Sequence, residues 1–159
     1  MKSDEELQVM LKRKFVTAIY ASTLFSIVFA LIDPEPFDEP ITSIQHYFSD
    51  VIGIIPIYLM YSLPFYLIYG IITSFLSETI ANRFASRKKS LWLTICGIFH
   101  LLFGLILLLP GLLASSIYFL VDQWLKKRNS RFTTIQRIKL FATPIVVWLL
   151  TMSFVWLKG

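Results

Sequence analysis

The sequence predicts an all-α protein, a polytopic transmembrane helical bundle forming one integral membrane domain over residues 1–159. Three observations lead there. Hydrophobic residues make up 56% of the chain and charged residues only 16%, against about 25% charged in typical soluble domains. No lysine or arginine occurs between Phe15 and Asn82. The basic residues lie in short clusters between apolar blocks: Lys12-Arg13-Lys14, Arg83 with Arg87-Lys88-Lys89, and Lys126-Lys127-Arg128 continuing to Arg131, Arg137 and Lys139. Loops beside anionic headgroups carry charge in this way. The net charge of +5 therefore does not indicate nucleic acid, which requires one continuous basic face on a folded scaffold.

Four spans are expected, at about residues 15–32, 51–77, 91–113 and 140–157. The first, Phe15 to Ile32, is eighteen uncharged residues, about 27 Å of helix and enough for a hydrocarbon core. The segment before it, MKSDEELQVMLKRK, holds three acids, and no small-residue cleavage motif follows the block. A retained signal-anchor span is the expectation. The loop DPEPFDEP from Asp33 has four acids and three prolines and stops the helix. Ile41 to Asp50 is expected to be a short interfacial segment. The second block, Val51 to Ser77, is long for one crossing, and Pro56 and Pro64 predict a kink, because each removes a backbone hydrogen bond.

The third block admits two readings. Leu91 to Leu109 is a clean span, and Pro110-Gly111 and a second apolar run to Leu125 follow it. A bent single helix makes four spans. A reversal at Pro110-Gly111 makes five crossings, with a second limb too short for a full crossing and plausible as a re-entrant piece. The final block, Leu140 to Leu157, is preceded by Phe132, Ile135 and Ile138 at three-residue spacing, a weak amphipathic stretch expected at the interface.

The positive-inside rule places the N-terminus in the cytoplasm and the chain in the cell membrane, because the acidic loop after Ile32 carries no base. A single third span would leave the six basic residues from Lys126 to Lys139 outside. A reversal would bring fourteen of the fifteen basic residues inside, with Lys158 alone outside. Charge favours five crossings. Length, and the cost of Asp122 within a short crossing, favour four.

Candidate working residues fall into two sets. Ala18, Ser22, Ser26 and Ala30 recur every four residues, a small-xxx-small face that lets helix backbones approach. Gly97 and Gly104 do the same in the third block, continued by Gly111, with His100 on their side of the helical wheel. The second set is polar or aromatic. Tyr58, Tyr61, Phe65 and Tyr69 fall within about 80° of one another on a helix, with Ser62 alongside. Such a stripe serves either packing and interfacial anchoring or a path for an apolar or cationic ligand. His100, near mid-span, is a functional candidate because ionisable residues are costly there. One turn away lies Cys96, the single cysteine, which excludes a disulfide framework. Two potential ligands do not make a metal site, so no metal and no cofactor are expected.

Enzyme signatures are absent from the sequence: no HExxH, no glycine-rich phosphate loop and no evident buried Asp/Glu pair. Asp50, Glu78 and Asp122 stand near block ends, where solvation or an arginine partner is the ordinary explanation. No catalytic residue and no enzymatic activity are expected.

The short basic-flanked spans, the acidic proline-rich loop and the Phe/Ile/Tyr-rich composition give a layout that resembles the small, mostly uncharacterised four-span membrane proteins of Gram-positive bacteria and their prophages. That resemblance implies a role in immunity or envelope stress. Two functions are expected, the first leading and the second its alternative. One is an accessory, regulatory or immunity-type factor acting through helix–helix interaction. The other is a small transporter or channel component. The expected partners are the lipid bilayer and another membrane protein or a second copy of the chain.

Overall fold

A computed structural model of the protein describes residues 4–35, 41–85, 88–127 and 134–158, without the side chains of 4, 6, 134–140 and 158. The described residues are almost entirely helical, with no strand. The elements are α1 (Asp4–Ile32), α2 (Ile44–Phe65), a π-helical segment (Tyr66–Gly70), α3 (Ile71–Ala85), α4 (Lys89–Leu105), α5 (Leu108–Lys127) and α6 (Thr134–Lys158). Three helical stretches are long and apolar enough to cross a membrane: Leu7–Ile32, the continuous Ile44–Ala85 and Leu108–Lys127. Lys89–Leu105 and Phe141–Leu157 are shorter apolar helices.

The first helix is the hub, packed on α2, α5, α6 and the π segment. It begins eleven residues before the apolar block, because the Glu, Leu, Gln, Met, Lys and Arg of that segment are all good helix formers. Lys12 to Lys14 are therefore helical and not loop. At its other end, the Tyr47 and Tyr58 hydroxyls donate to the carbonyl oxygens of Leu31 and Asp33 at 2.7 and 2.8 Å. These bonds clasp the end of α1 to the start of α2.

Residues 44–50, expected as a separate interfacial segment, instead form the first turns of α2, capped by Ser43 accepting from the His46 N–H at 3.1 Å. Pro56 lies inside α2, and the helix runs on through it. Pro64 is followed at once by the π segment, where the regular hydrogen-bond ladder shifts. The interruption leaves Tyr66 and Gly70 buried toward the bundle.

The single 91–113 helix is not observed. The chain turns at Ile106-Leu107, and α4 and α5 pack as an antiparallel hairpin. Pro110 and Gly111, expected at the reversal, belong to the first turn of α5. Pro110 fits there, since first-turn residues need no intrahelical N–H bond. The turn sits earlier because its neck needs closely approaching backbones. A methyl at Gly104 would come within 2.6 Å of the Gly111 carbonyl oxygen and run into the Ser115 hydroxyl. Leu108 takes the strain, with φ at 61°, a region that costs a side-chain-bearing residue roughly 1–2 kcal/mol. Leucines 105 and 107–109 and Ile106 cover the tip, all exposed. The Phe132/Ile135/Ile138 stretch lies outside the residues whose side chains are described.

Candidate functional site: a buried ionic cluster

At the end of the bundle that carries Lys12 to Lys14, α1, α3 and α5 bring four charged side chains together. Lys14 is fully buried, Asp122 is 1% exposed and Glu78 4% exposed. Helix periodicity explains each placement. Lys14 shares the inner face of α1 with Thr17, Ala18 and Ala21, all fully buried. Glu78 follows Ser74 by four residues on the small, buried stripe Ser74, Ser77, Glu78, Ala81 of α3. Asp122 follows Tyr118 by four on α5.

The polar atoms are closely matched. An ammonium has three donors, and Lys14 Nζ donates to the Ser74 hydroxyl, to Glu78 Oε1 at 2.8 Å and to Asp122 Oδ2 at 3.1 Å. Arg13 reaches both acids as well, through Nη2 to Glu78 Oε1 at 2.9 Å and through Nε to Asp122 Oδ1 at 3.1 Å. The Thr17 hydroxyl lies 3.2 Å from Asp122 Oδ1 and 3.0 Å from the Arg13 carbonyl oxygen, so its one proton serves two acceptors. Tyr118 donates to the Lys14 carbonyl oxygen at 3.2 Å.

Two cations and two carboxylates thus balance where three of the four side chains are almost fully buried. An isolated charge there would cost several kcal/mol. Lys126 Nζ stands at the edge, 3.8 Å from Glu78 Oε1 and 3.9 Å above the Trp92 ring. Trp92 Nε1 in turn donates to Asn82 Oδ1 at 2.6 Å, which ties α4 to the same end. A cleft of about 340 Å³ reaches Glu78 between α1 and α3, lined by Leu7, Met10, Phe75, Glu78, Thr79 and Asn82.

The expected residues fall elsewhere. Ala18, Ser22, Ser26 and Ala30 are all fully buried, but inside this chain. The Ser26 and Ser62 hydroxyls meet at 3.0 Å. Gly97 faces the Phe119 ring, with 3.4 Å left for a methyl, and Gly104 faces Gly111. Both small-residue faces are therefore occupied by the chain's own helices.

The aromatic stripe does not hold together as one surface. Tyr61 is 69% exposed, whereas Tyr58 clasps the α1–α2 corner. Tyr69 donates to the Phe103 carbonyl oxygen at 2.8 Å. Tyr66, off the expected stripe, is the buried tyrosine of that helix; it stacks on Tyr118 at 5.9 Å and donates to the Ala114 carbonyl oxygen. The shift of register at the π segment accounts for part of this rearrangement. His100 is 2% exposed and faces α5, its ring 5.3 Å from that of Phe119.

The expectation of no buried Asp/Glu pair is overturned by Glu78 and Asp122. Sequence reasoning placed both at block ends and stopped there, although an arginine partner was among its explanations. A usable signal existed in α3, where Ser74, Ser77, Glu78 and Ala81 share one helical face. Small residues beside an acid mark a face meant for a neighbour and not for lipid.

Together the fold and this cluster define a membrane-type helical bundle with a neutralised ionic core at its basic end. No protein-family model, no curated protein and no solved structure matches the chain.

Proposed function

We propose that the chain is a multi-pass protein of the cell membrane acting as a small proton-coupled transporter or channel component. The observation that carries this reading is the Glu78 carboxylate. It is buried, bonded to Lys14 and Arg13, and still lines a cleft that opens at the basic end of the bundle. Ionisable residues inside membrane bundles are costly and mark ion and proton paths. Glu78, Asp122 and Lys14 are acid–base groups within bonding distance of one another. The loss of both small-residue faces to internal packing weakens the case for partner docking through them.

The orientation that goes with this reading has the N-terminus in the cytoplasm and the basic segments beside the cytoplasmic leaflet. In it α1 and the α2–α3 stretch cross, α4 and α5 leave the cytoplasmic side and return to it, and α6 crosses last, as in the five-crossing alternative that charge favours. Lys126 beside Glu78 and Trp92 supports it, because the third basic segment then joins the first two.

The test is proton flux in liposomes holding the purified protein and a pH-sensitive dye, driven by a potassium diffusion potential. Flux above that of empty liposomes, abolished in Glu78→Gln and Asp122→Asn variants that still fold, is expected. Wild-type flux equal to empty liposomes would sink the transport reading. In the same vesicles, a Cys96→Ser variant with a single cysteine at Asn129 should react with an impermeant thiol reagent on the same side as one at Lys12. Reaction on opposite sides would overturn the orientation.

A second reading has its own support, in the saturation of the cluster. Every donor of Lys14 is used, as in a latch that fixes helix register. An accessory, regulatory or immunity-type protein that presents a preformed surface to another membrane protein, or to a second copy, needs nothing more. It predicts no flux and variants that lose stability in proportion to lost activity.

A further inference from the structure

Away from the ionic cluster, the π segment and the neck of the α4–α5 hairpin enclose a second feature. A cavity of about 20 Å³ lies between them, lined among others by Tyr66, Tyr69, Thr73, His100, Gly104 and Ser115. One water needs roughly 10–15 Å³ of such space, so there is room for one oxygen and its hydrogens. Three independent observations converge here. The wall contributed by Tyr66, Tyr69 and Gly70 is the only π-helical stretch among the described residues, and such bulges recur at functional sites. Across from it, Gly104 and Gly111 line the cavity at the hairpin neck, where their backbones pack too closely for a side chain. Between them sits His100, 2% exposed.

The chemistry of His100 specifies the occupant. Its Nδ1 is 3.1 Å from the Cys96 carbonyl oxygen, an acceptor only, so Nδ1 carries the proton and donates. Nε2 is then a bare lone pair, buried, with no hydrogen-bond partner among the described residues. An unpaired acceptor at this depth has no bulk water to turn to and is costly. The neighbouring hydroxyls of Tyr69, Thr73 and Ser115 spend their protons on the carbonyl oxygens of Phe103, Tyr69 and Leu112. Each keeps lone pairs and can accept. The cavity therefore lacks a donor and offers several acceptors. Its outer edge is Phe65, Tyr69 and Leu107, apolar or aromatic and none of them buried.

We propose that this cavity is a binding site for a neutral O–H group, which donates to His100 Nε2. The O–H belongs either to one trapped water or to the head of a hydroxylated lipid entering past Phe65 and Leu107. No carboxylate lines the cavity to neutralise a cation. The site stands independently of the transport reading, because none of its lining residues belongs to the Arg13/Lys14/Glu78/Asp122 set.

The test uses the full-length protein with ring-¹⁵N-labelled histidine in phosphatidylcholine nanodiscs, with and without a few mole per cent dioleoylglycerol. A His46→Gln variant assigns the two histidines. The expected spectrum shows His100 neutral, with Nδ1 protonated and Nε2 at the shift of a hydrogen-bonded imine nitrogen. A water-proton cross-peak at Nε2 identifies trapped water. A change of the Nε2 shift on adding dioleoylglycerol identifies the lipid hydroxyl. An Nε2 signal at the shift of a free imine nitrogen in both membranes overturns the proposal. So does a hydrogen-bonded shift with neither water contact nor lipid response, which would mean a protein partner. The measurement is on wild-type residues at the site, so no folding defect intervenes.

Discussion

The two ends of the bundle close by opposite means. At the basic end, α1, α3 and α5 are joined by charges, and the Lys14 ammonium is matched donor for acceptor. At the hairpin neck, α4 and α5 are joined by the lack of side chains at Gly104 and Gly111, and a buried acceptor is left without a partner. The first end tolerates burial of ions because its charges cancel. The second reaches close backbone contact by removing volume, which leaves a cavity and one strained residue, Leu108. In lipid, where apolar surface gains little from meeting apolar surface, these are the two means available: polar bonding and close van der Waals approach.

The sharpest way to break the first end is to unbalance it. Asp122→Leu leaves Lys14 and Arg13 facing one carboxylate, and uncompensated buried charge costs about 3–5 kcal/mol. Thermal unfolding in detergent, followed by a thiol-reactive dye at the fully buried Cys96, should show the melting transition largely lost. An unchanged midpoint would mean that the acid adds nothing to the closure of that end.

At the second end, Gly104→Ala is expected to cost about 1–3 kcal/mol, the scale of overpacking, because the added methyl meets the Gly111 carbonyl oxygen, which is backbone, as well as the Ser115 side chain. The same dye assay reads it, and a shift smaller than that of Gly97→Ala, where a ring can yield by a few tenths of an ångström, would contradict the comparison. The smallest effect is a gain. Leu108→Gly relieves the positive φ, and the hairpin should be stabilised by about 1 kcal/mol. A loss of stability would show that the leucine side chain contributes more at the tip than its backbone strain costs.

Much of the architecture was legible in advance, and the reasons are local. A run such as Phe15–Ile32 declares a helix in an apolar solvent from its own hydropathy, and the basic clusters mark ends by position alone. The aromatic stripe misled, because Tyr58, Tyr61 and Tyr69 were placed on one regular helix. The helix is interrupted after Pro64, and its neighbours decide which tyrosine is covered: Tyr66 is, and Tyr61 is not. His100 was correctly assigned to a packed face, whereas its missing donor depends on residues from two other elements.

Helical class, membrane-like composition and the approximate ends of the apolar blocks belong to the sequence by itself, because hydropathy and helix propensity act over one or a few turns. The meeting of Lys14 with Glu78 and Asp122, 64 and 108 residues away along the chain, was decided only by the tertiary structure. So was the place of the reversal, which the sequence suggested at Pro110-Gly111 and which the contacts of Gly104 with Gly111 set at Ile106-Leu107. Charge pairing and close backbone approach are properties of pairs of residues. Their energies exist only once two distant helices share a place.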